Sequence, residues 1–254
     1  VTKALRDLGY LDFDEPFKKL YHQGTITKDG SKMSKSKGNT VSPDQFIEEY
    51  GSDTFRCYLM FMGPFDEGGD WNDKGIKGIY RFLNKLINIC NKPNSDKSEL
   101  KFQKIIHKTT KDVTADLKKI KFNTAISKIM SCLNELASAD SLSIEDKHIL
   151  VKLIAPFAPH LAEELWQELN NENISIFNHL WPEYDENLAL DDNITIAIQV
   201  NGKLRGNIEV EKDKDKDSIL ELSKQNKNVS KFLDGKSIIK EIYVPSKLVN
   251  IVVK

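Results

Sequence analysis

The chain has 254 residues, 39% hydrophobic and 30% charged, with a formal net charge of −1, the profile of a polar globular protein long enough for one or two cores. No apolar run approaches the roughly 18 residues of a membrane-spanning helix, and no basic start followed by an apolar stretch marks a secretory leader. The three cysteines, Cys57, Cys90 and Cys132, lie too far apart for a disulfide framework or a zinc site, so a reducing, cytoplasmic setting and no protein-bound metal are expected.

In chain order, Val1–Arg6 has helical spacing and Glu15–Tyr21 reads as a second short helix. Lys28-Asp29-Gly30 is a turn, with Gly30 able to take positive φ. The segment GSKMSKSKGNTVSP, residues 30–43, follows as a basic loop. Ser42 and Pro43 then fit the N-cap and first position of a helix running to Tyr50. Gly51-Ser52-Asp53 stops that helix and caps the next, Thr54–Met62. Apolar residues at Ile76, Ile79, Phe82, Leu83, Leu86, Ile87 and Cys90 predict a helix within 73–92. Amphipathic helices are expected over 101–119, 121–138, 143–155 and 159–169, making a bundle of four or five.

At Asp191-Asp192-Asn193 the pattern changes. Residues 194–200 alternate and are rich in β-branched side chains, Asn201-Gly202 is a hairpin signal, and Lys203–Val210 returns as a second strand. A charged turn, Glu211–Asp217, leads to helices over 218–224 and 228–233 and strands over 238–244 and 248–253. The expected architecture is mainly α with a small α+β C-terminal domain. Its sections are 1–50, carrying the lysine loop, a helical bundle over 51–190, and 191–254. Trp71, Trp166 and Trp181 are read as bundle packing.

The near-zero net charge hides an asymmetry. Residues 73–131 hold fourteen Lys/Arg against five Asp/Glu, and residues 132–192 hold two Lys against thirteen Asp/Glu. A polyanion such as nucleic acid would be drawn to the first block, although the same lysines also serve simply to solvate exposed helix faces. The loop is open to two readings too. Closely spaced ammonium and hydroxyl groups beside a glycine can wrap nucleotide phosphates, or form a solvated surface segment.

Lys32-Met33-Ser34-Lys35-Ser36, continued by Lys37-Gly38-Asn39, resembles the KMSKS signature of class I aminoacyl-tRNA synthetases. Gly51-Ser52-Asp53-Thr54-Phe55-Arg56 resembles the segment that opens the helical region after the catalytic domain in that class. Gly69-Asp70-Trp71 with 78–84 resembles the next part of that region. Glu15-Pro16-Phe17 and Gln23-Gly24 resemble the leucyl enzymes within the class, and the APFAPHLAEELW run at 155–166 resembles a segment shared by the leucyl, isoleucyl and valyl group. Val200-Asn-Gly-Lys-Leu-Arg-Gly206 is similar to the bacterial-type leucyl enzymes. The resemblance covers essentially the whole chain.

It implies an aminoacyl-tRNA ligase that activates leucine with ATP and magnesium, then transfers it to tRNA(Leu). By position, Lys32 and Lys35 are the catalytic loop lysines. Lys32, Met33, Ser34, Lys35 and Ser36 form the ATP-binding segment, with Met33 a packing anchor. Arg56, Lys74, Lys77, Arg81 and Lys85 lie near helical spacing as phosphate contacts for tRNA. Lys203 and Arg205 are candidates in the terminal domain, the alternative being a charged hairpin edge that discourages strand pairing.

His160, Glu163 and Glu164 lack the second histidine of a metal motif and are read as helix-start residues. No HIGH motif and no glycine-rich nucleotide-binding unit occur in the sequence. The chain is therefore expected to be the C-terminal part of such an enzyme; the alternatives are a valyl- or isoleucyl-type class I synthetase fragment and a non-catalytic structured-RNA-binding protein. A monomer is expected, inactive when isolated, with a lysine loop that is mobile or rearranged.

Overall fold

The computed structural model describes residues 1–170, 174–190, 193–212 and 214–254. The break expected at Asp191-Asp192 and Asp213 of the charged turn fall outside them. The described residues form two compact units, Val1–Ala189 and Leu190–Lys254. The fold is mainly α with a small α+β C-terminal unit.

The first unit opens with α1 (Thr2–Asp7), then β1 (Thr25–Lys28) and β2 (Ser31–Lys32), a 3-10 turn at Lys35–Lys37, and α2 (Pro43–Tyr50). There follow α3 (Ser52–Phe61), β3 (Gly68–Trp71), α4 (Ile76–Cys90), β4 (Asn94–Ser95), α5 (Leu100–Leu117), α6 (Phe122–Leu136), β5 (Leu142–Ser143), α7 (Ile144–Ile154) and α8 (Pro159–Asn170). Helices α3 to α8 bury one continuous core that includes Cys57, Ile79, Leu86, Ile106, Ile129, Leu150 and Phe157. Each such side chain contributes about 1.5–3 kcal/mol by leaving water. Ser42 caps α2 and Ser143 caps α7, each accepting a hydrogen bond from the backbone N–H of Asp44 and Asp146, worth about 1 kcal/mol apiece.

Three local expectations are corrected. Residues 15–21 are not helical but irregular, and Phe17 and Leu20 are 82% and 86% exposed. An isolated seven-residue helix with no surface to cover its apolar face cannot offset the cost of nucleation. Helix α3 starts one residue after Gly51, without a side-chain cap, because the Asp53 carboxylate is committed to α8 instead. Trp71 and Trp166 are buried as expected, whereas Trp181 is 36% exposed and its indole N–H donates to the Thr114 hydroxyl at 2.8 Å.

A three-stranded sheet of order β2-β1-β3 was not foreseen. Strand β1 pairs antiparallel with β2 and parallel with β3. A Cβ on Gly24 would lie 2.0 Å from the backbone N of Gly68, so only glycine lets the chain enter this parallel pairing.

In the second unit β6 (Asn193–Val200) and β7 (Lys203–Glu211) form the Asn201-Gly202 hairpin, followed by α9 (Lys216–Gln225), α10 (Lys227–Leu233), β8 (Ile238–Val244) and β9 (Leu248–Val253). The sheet order is β7-β6-β9-β8, with β6 and β9 parallel. Ile196, Ile198, Val249 and Ile251 on one face meet Ile219 and Val229 of the two helices in a separate small core.

Candidate functional site

The lysine loop grows out of the β1–β2 hairpin. Asp29 and Gly30 both have positive φ, 52° and 70°, the conformation that a two-residue hairpin matching strand twist requires. Lys32 ends β2 and Lys35 opens the 3-10 turn; both are exposed. Met33 between them is half-buried against the main core. The Ser34 N–H donates to Asn39 Oδ1 at 2.8 Å, and Asn39 Nδ2 donates to the Lys32 carbonyl at 3.3 Å. The Ser34 and Ser36 hydroxyls are 2.8 Å apart. Among the described residues, Lys32, Lys35 and Lys37 have no carboxylate partner. Their charge is available to an anion.

The base of the loop is tied to the bundle through β3. The Thr27 hydroxyl donates to Asp70 Oδ1 at 2.5 Å and the Gly30 N–H donates to the same oxygen at 3.0 Å. These bonds, the hydroxyl first, hold the Asp70 carboxyl below the usual carboxylate range, because both favour the ionised acceptor. One residue on, the ring of Trp71 lies 4.8, 5.0 and 5.7 Å from those of Phe46, Tyr58 and Phe55. Trp71 is thus fixed in the core, and Asp70 faces the hairpin tip.

A second tie joins α3 to α8. Asp53 accepts from the Leu161 N–H at 2.7 Å and pairs with His160 Nδ1 at 2.8 Å. Asp53 therefore supplies the negative group that the first turn of α8 favours. His160 has a structural partner, and no group of three or more His, Cys, Asp or Glu able to hold a metal occurs among the described residues.

The basic block divides once its partners are known. Lys74, Lys77 and Arg81 are exposed at and along the start of α4, with Arg81 bonded only to its own helix at the Lys77 carbonyl. Arg56 is exposed but donates to the Pro156 carbonyl at 3.3 Å. Lys85 donates to Asn134 on α6, Lys111 pairs with Glu186, and Lys128 with Asp116. Lys92 reaches the carbonyls of Leu136, Ala137 and Ala139 at the end of α6. In the second unit Lys203 is exposed, while the Arg205 guanidinium stacks 3.9 Å from the centre of the Phe232 ring.

Residues 9–70 match tRNA synthetases class I (I, L, M and V), and residues 101–220 match the anticodon-binding domain of tRNA ligase. Over 100% of its length the chain is 43% identical to a leucine–tRNA ligase of Petrotoga mobilis. It is 46% identical, again over 100% of its length, to that of Caldanaerobacter subterraneus subsp. tengcongensis. The chain belongs to the leucine–tRNA ligase family. It spans 34% and 33% of these two relatives, about a third of their length. Its fold is similar to a LeuRS of Agrobacterium radiobacter K84 solved as a ternary complex with tRNA and LeuAMS. That likeness has a TM-score of 0.72 at 32% identity and covers 100% of this chain and 36% of the other.

Sequence reasoning assigned no role to Asn39, Thr27, Asp70 or the Asp53–His160 pair. Asn39 was visible as the end of the family signature, and Asp70 as part of a recognised segment. Asp70 meets Thr27 only through β1–β3 pairing across 43 residues, and Asp53 meets His160 only through helix packing across 107; no local pattern reveals either.

Proposed function

We propose that this chain is the loop-bearing and tRNA-docking part of a leucine–tRNA ligase. In this reading the leucine carboxylate attacks the α-phosphorus of ATP and pyrophosphate leaves. Lys32 and Lys35 stabilise the negative charge that builds on the departing phosphates. Ser34 and Ser36 supply hydroxyl donors to the same segment, and Met33 anchors the loop to the core. Magnesium would arrive with the nucleotide, and no residue of this chain is assigned to it. Residues 1–50 carry the loop, 51–190 dock tRNA, and 191–254 add a further tRNA contact. Lys74, Lys77 and Arg81 are the foremost phosphate contacts because their charge is unspent, with Lys203 next. Arg56, Lys85 and Arg205 combine any tRNA contact with the structural bonds described above. The reading carries with it a monomeric, cytoplasmic enzyme, and no helix among the described residues is long and apolar enough to cross a membrane.

The observation that carries the proposal is the pair of exposed lysines without carboxylate partners, held on a turn whose base is fixed in the bundle. Two measurements test it. A full-length polypeptide containing this chain is expected to catalyse leucine-dependent ATP–pyrophosphate exchange, and the isolated chain is not. Filter binding of leucine tRNA, a second tRNA and a duplex RNA at two salt concentrations should favour the first. Equal affinity for all three, without exchange in the full-length polypeptide, would instead establish a general structured-RNA-binding protein.

A further inference from the structure

We infer that Asn39 and Asp70 are positioning residues for the lysine loop, two side-chain clamps that hold Lys32 and Lys35 in the geometry needed for activation. The inference rests on the proposed ligase reading and assigns the means by which its loop is set.

Asn39 spans the loop from the inside. Its carbonyl oxygen accepts from the Ser34 N–H and its amide N–H donates to the Lys32 carbonyl. One side chain therefore satisfies the backbone on both sides of Met33, between the two lysines. An asparagine does this because it carries an acceptor and a donor a fixed distance apart. Gly38, with φ of 65°, reverses the chain so that Asn39 can turn back on the loop.

Asp70 acts from the outside. It lies on β3, next to the core-buried Trp71, and accepts from Thr27 on β1 and from the N–H of Gly30 at the hairpin tip. The route from core to lysine therefore runs Trp71, Asp70, Gly30, β2 and Lys32. Apart from the Thr27 hydroxyl, both clamps bond backbone groups, and neither bonds a lysine ammonium. A group held by packing and a surrounding layer of hydrogen bonds is more effective than a free one, and a displacement of about 1 Å can cost about 100-fold in rate.

The test uses Asn39→Ala, Asn39→Asp, Asp70→Ala and Asp70→Asn in a full-length polypeptide containing this chain. Asn39→Ala is expected to lower kcat of ATP–pyrophosphate exchange by about 10- to 100-fold, with the KM for leucine and tRNA affinity unchanged. Asn39→Asp keeps the acceptor for Ser34 but not the donor to Lys32, and should recover part of the loss. Asp70→Ala should fall less, and Asp70→Asn should recover, since its amide oxygen can still accept from Gly30. Amide hydrogen exchange supplies a readout independent of activity: the Ser34 amide should exchange faster in Asn39→Ala and the Gly30 amide faster in Asp70→Ala. A wild-type polypeptide that exchanges pyrophosphate while Asn39→Ala remains within twofold of it would overturn the inference and leave the ligase reading intact. No exchange by the wild type would remove the ligase reading. The clamp would then stand or fall on the two amides, and unchanged exchange at both would refute it.

Discussion

Lysines of the loop and lysines of the bundle have the same chemistry and opposite uses. Lys32 and Lys35 are exposed and have no carboxylate partner among the described residues. Lys147 on α7 is 1% exposed, and its ammonium donates to the Lys92 carbonyl and to Asn94 Oδ1. Lys92 in turn covers three carbonyls at the end of α6, where a cation suits the helix dipole. Burial pulls the Lys147 ammonium below the usual lysine range, as expected for a charge removed from water. A count of lysines therefore says little about anion binding until the spent ones are removed.

The comparison breaks most visibly at Lys147. Lys147→Ala is expected to destabilise the first unit by about 3 kcal/mol, through a cavity and through unpaired acceptors at Lys92 and Asn94, as read by urea denaturation. Lys147→Met, which keeps the stem, should cost less. A loss below about 0.5 kcal/mol in Lys147→Ala would mean that the buried ammonium does not hold the β4–β5 junction. Lys35→Ala should do the reverse. Stability should change by less than about 0.5 kcal/mol, while activation by a full-length polypeptide falls about 100-fold, or about 2.7 kcal/mol, with tRNA binding unaffected. Equal losses in activation and tRNA binding would give Lys35 a different role.

The exposed part of the basic block sharpens the same contrast. Lys77→Ala with Arg81→Ala should weaken tRNA binding and reduce the dependence of log affinity on log salt by about 1.5, the effect of two lost phosphate contacts. Lys128→Ala, whose cation already pairs with Asp116, should leave that slope unchanged. A common effect of the two changes would show that the block acts through its total charge alone.

Helices with strong periodicity were legible in the sequence because each had a surface to bury. The α4 stripe from Ile76 to Cys90 and the Ser42-Pro43 start of α2 lie where spacing and capping place them. Residues 15–21 had the composition of a helix without that surface. The β1–β3 pairing was hidden because a four-residue parallel strand leaves no alternating pattern of useful length. The same limit applied to the site. The lysines were legible from the signature, while the side chains that hold them were not, since Asp70 meets Thr27 and Gly30 only across that pairing. The basic block was legible as charge, but its division into spent and unspent lysines depends on helix packing.

The smallest effect concerns a cation that the fold resists forming. His148 on α7 lies with its ring 4.7 Å from that of Trp166, which also has the His179 ring at 4.6 Å and the Lys152 ammonium 5.1 Å from its centre. Burial first, and then Lys152, lower the His148 pKa, opposed by Glu145 and by a hydrogen bond with Asn170. The folded state therefore takes up this proton at a lower pH than the unfolded chain does. As pH falls below about 6.5, the unfolded state binds a proton that the folded state refuses, so stability declines until the lowered folded value is passed. His148→Gln should remove this part of the acid loss, making the pH dependence of the urea midpoint shallower between pH 7 and 5. An unchanged slope would mean that His148 titrates alike in the folded and unfolded states, and that its place beside Trp166 carries no penalty for charge.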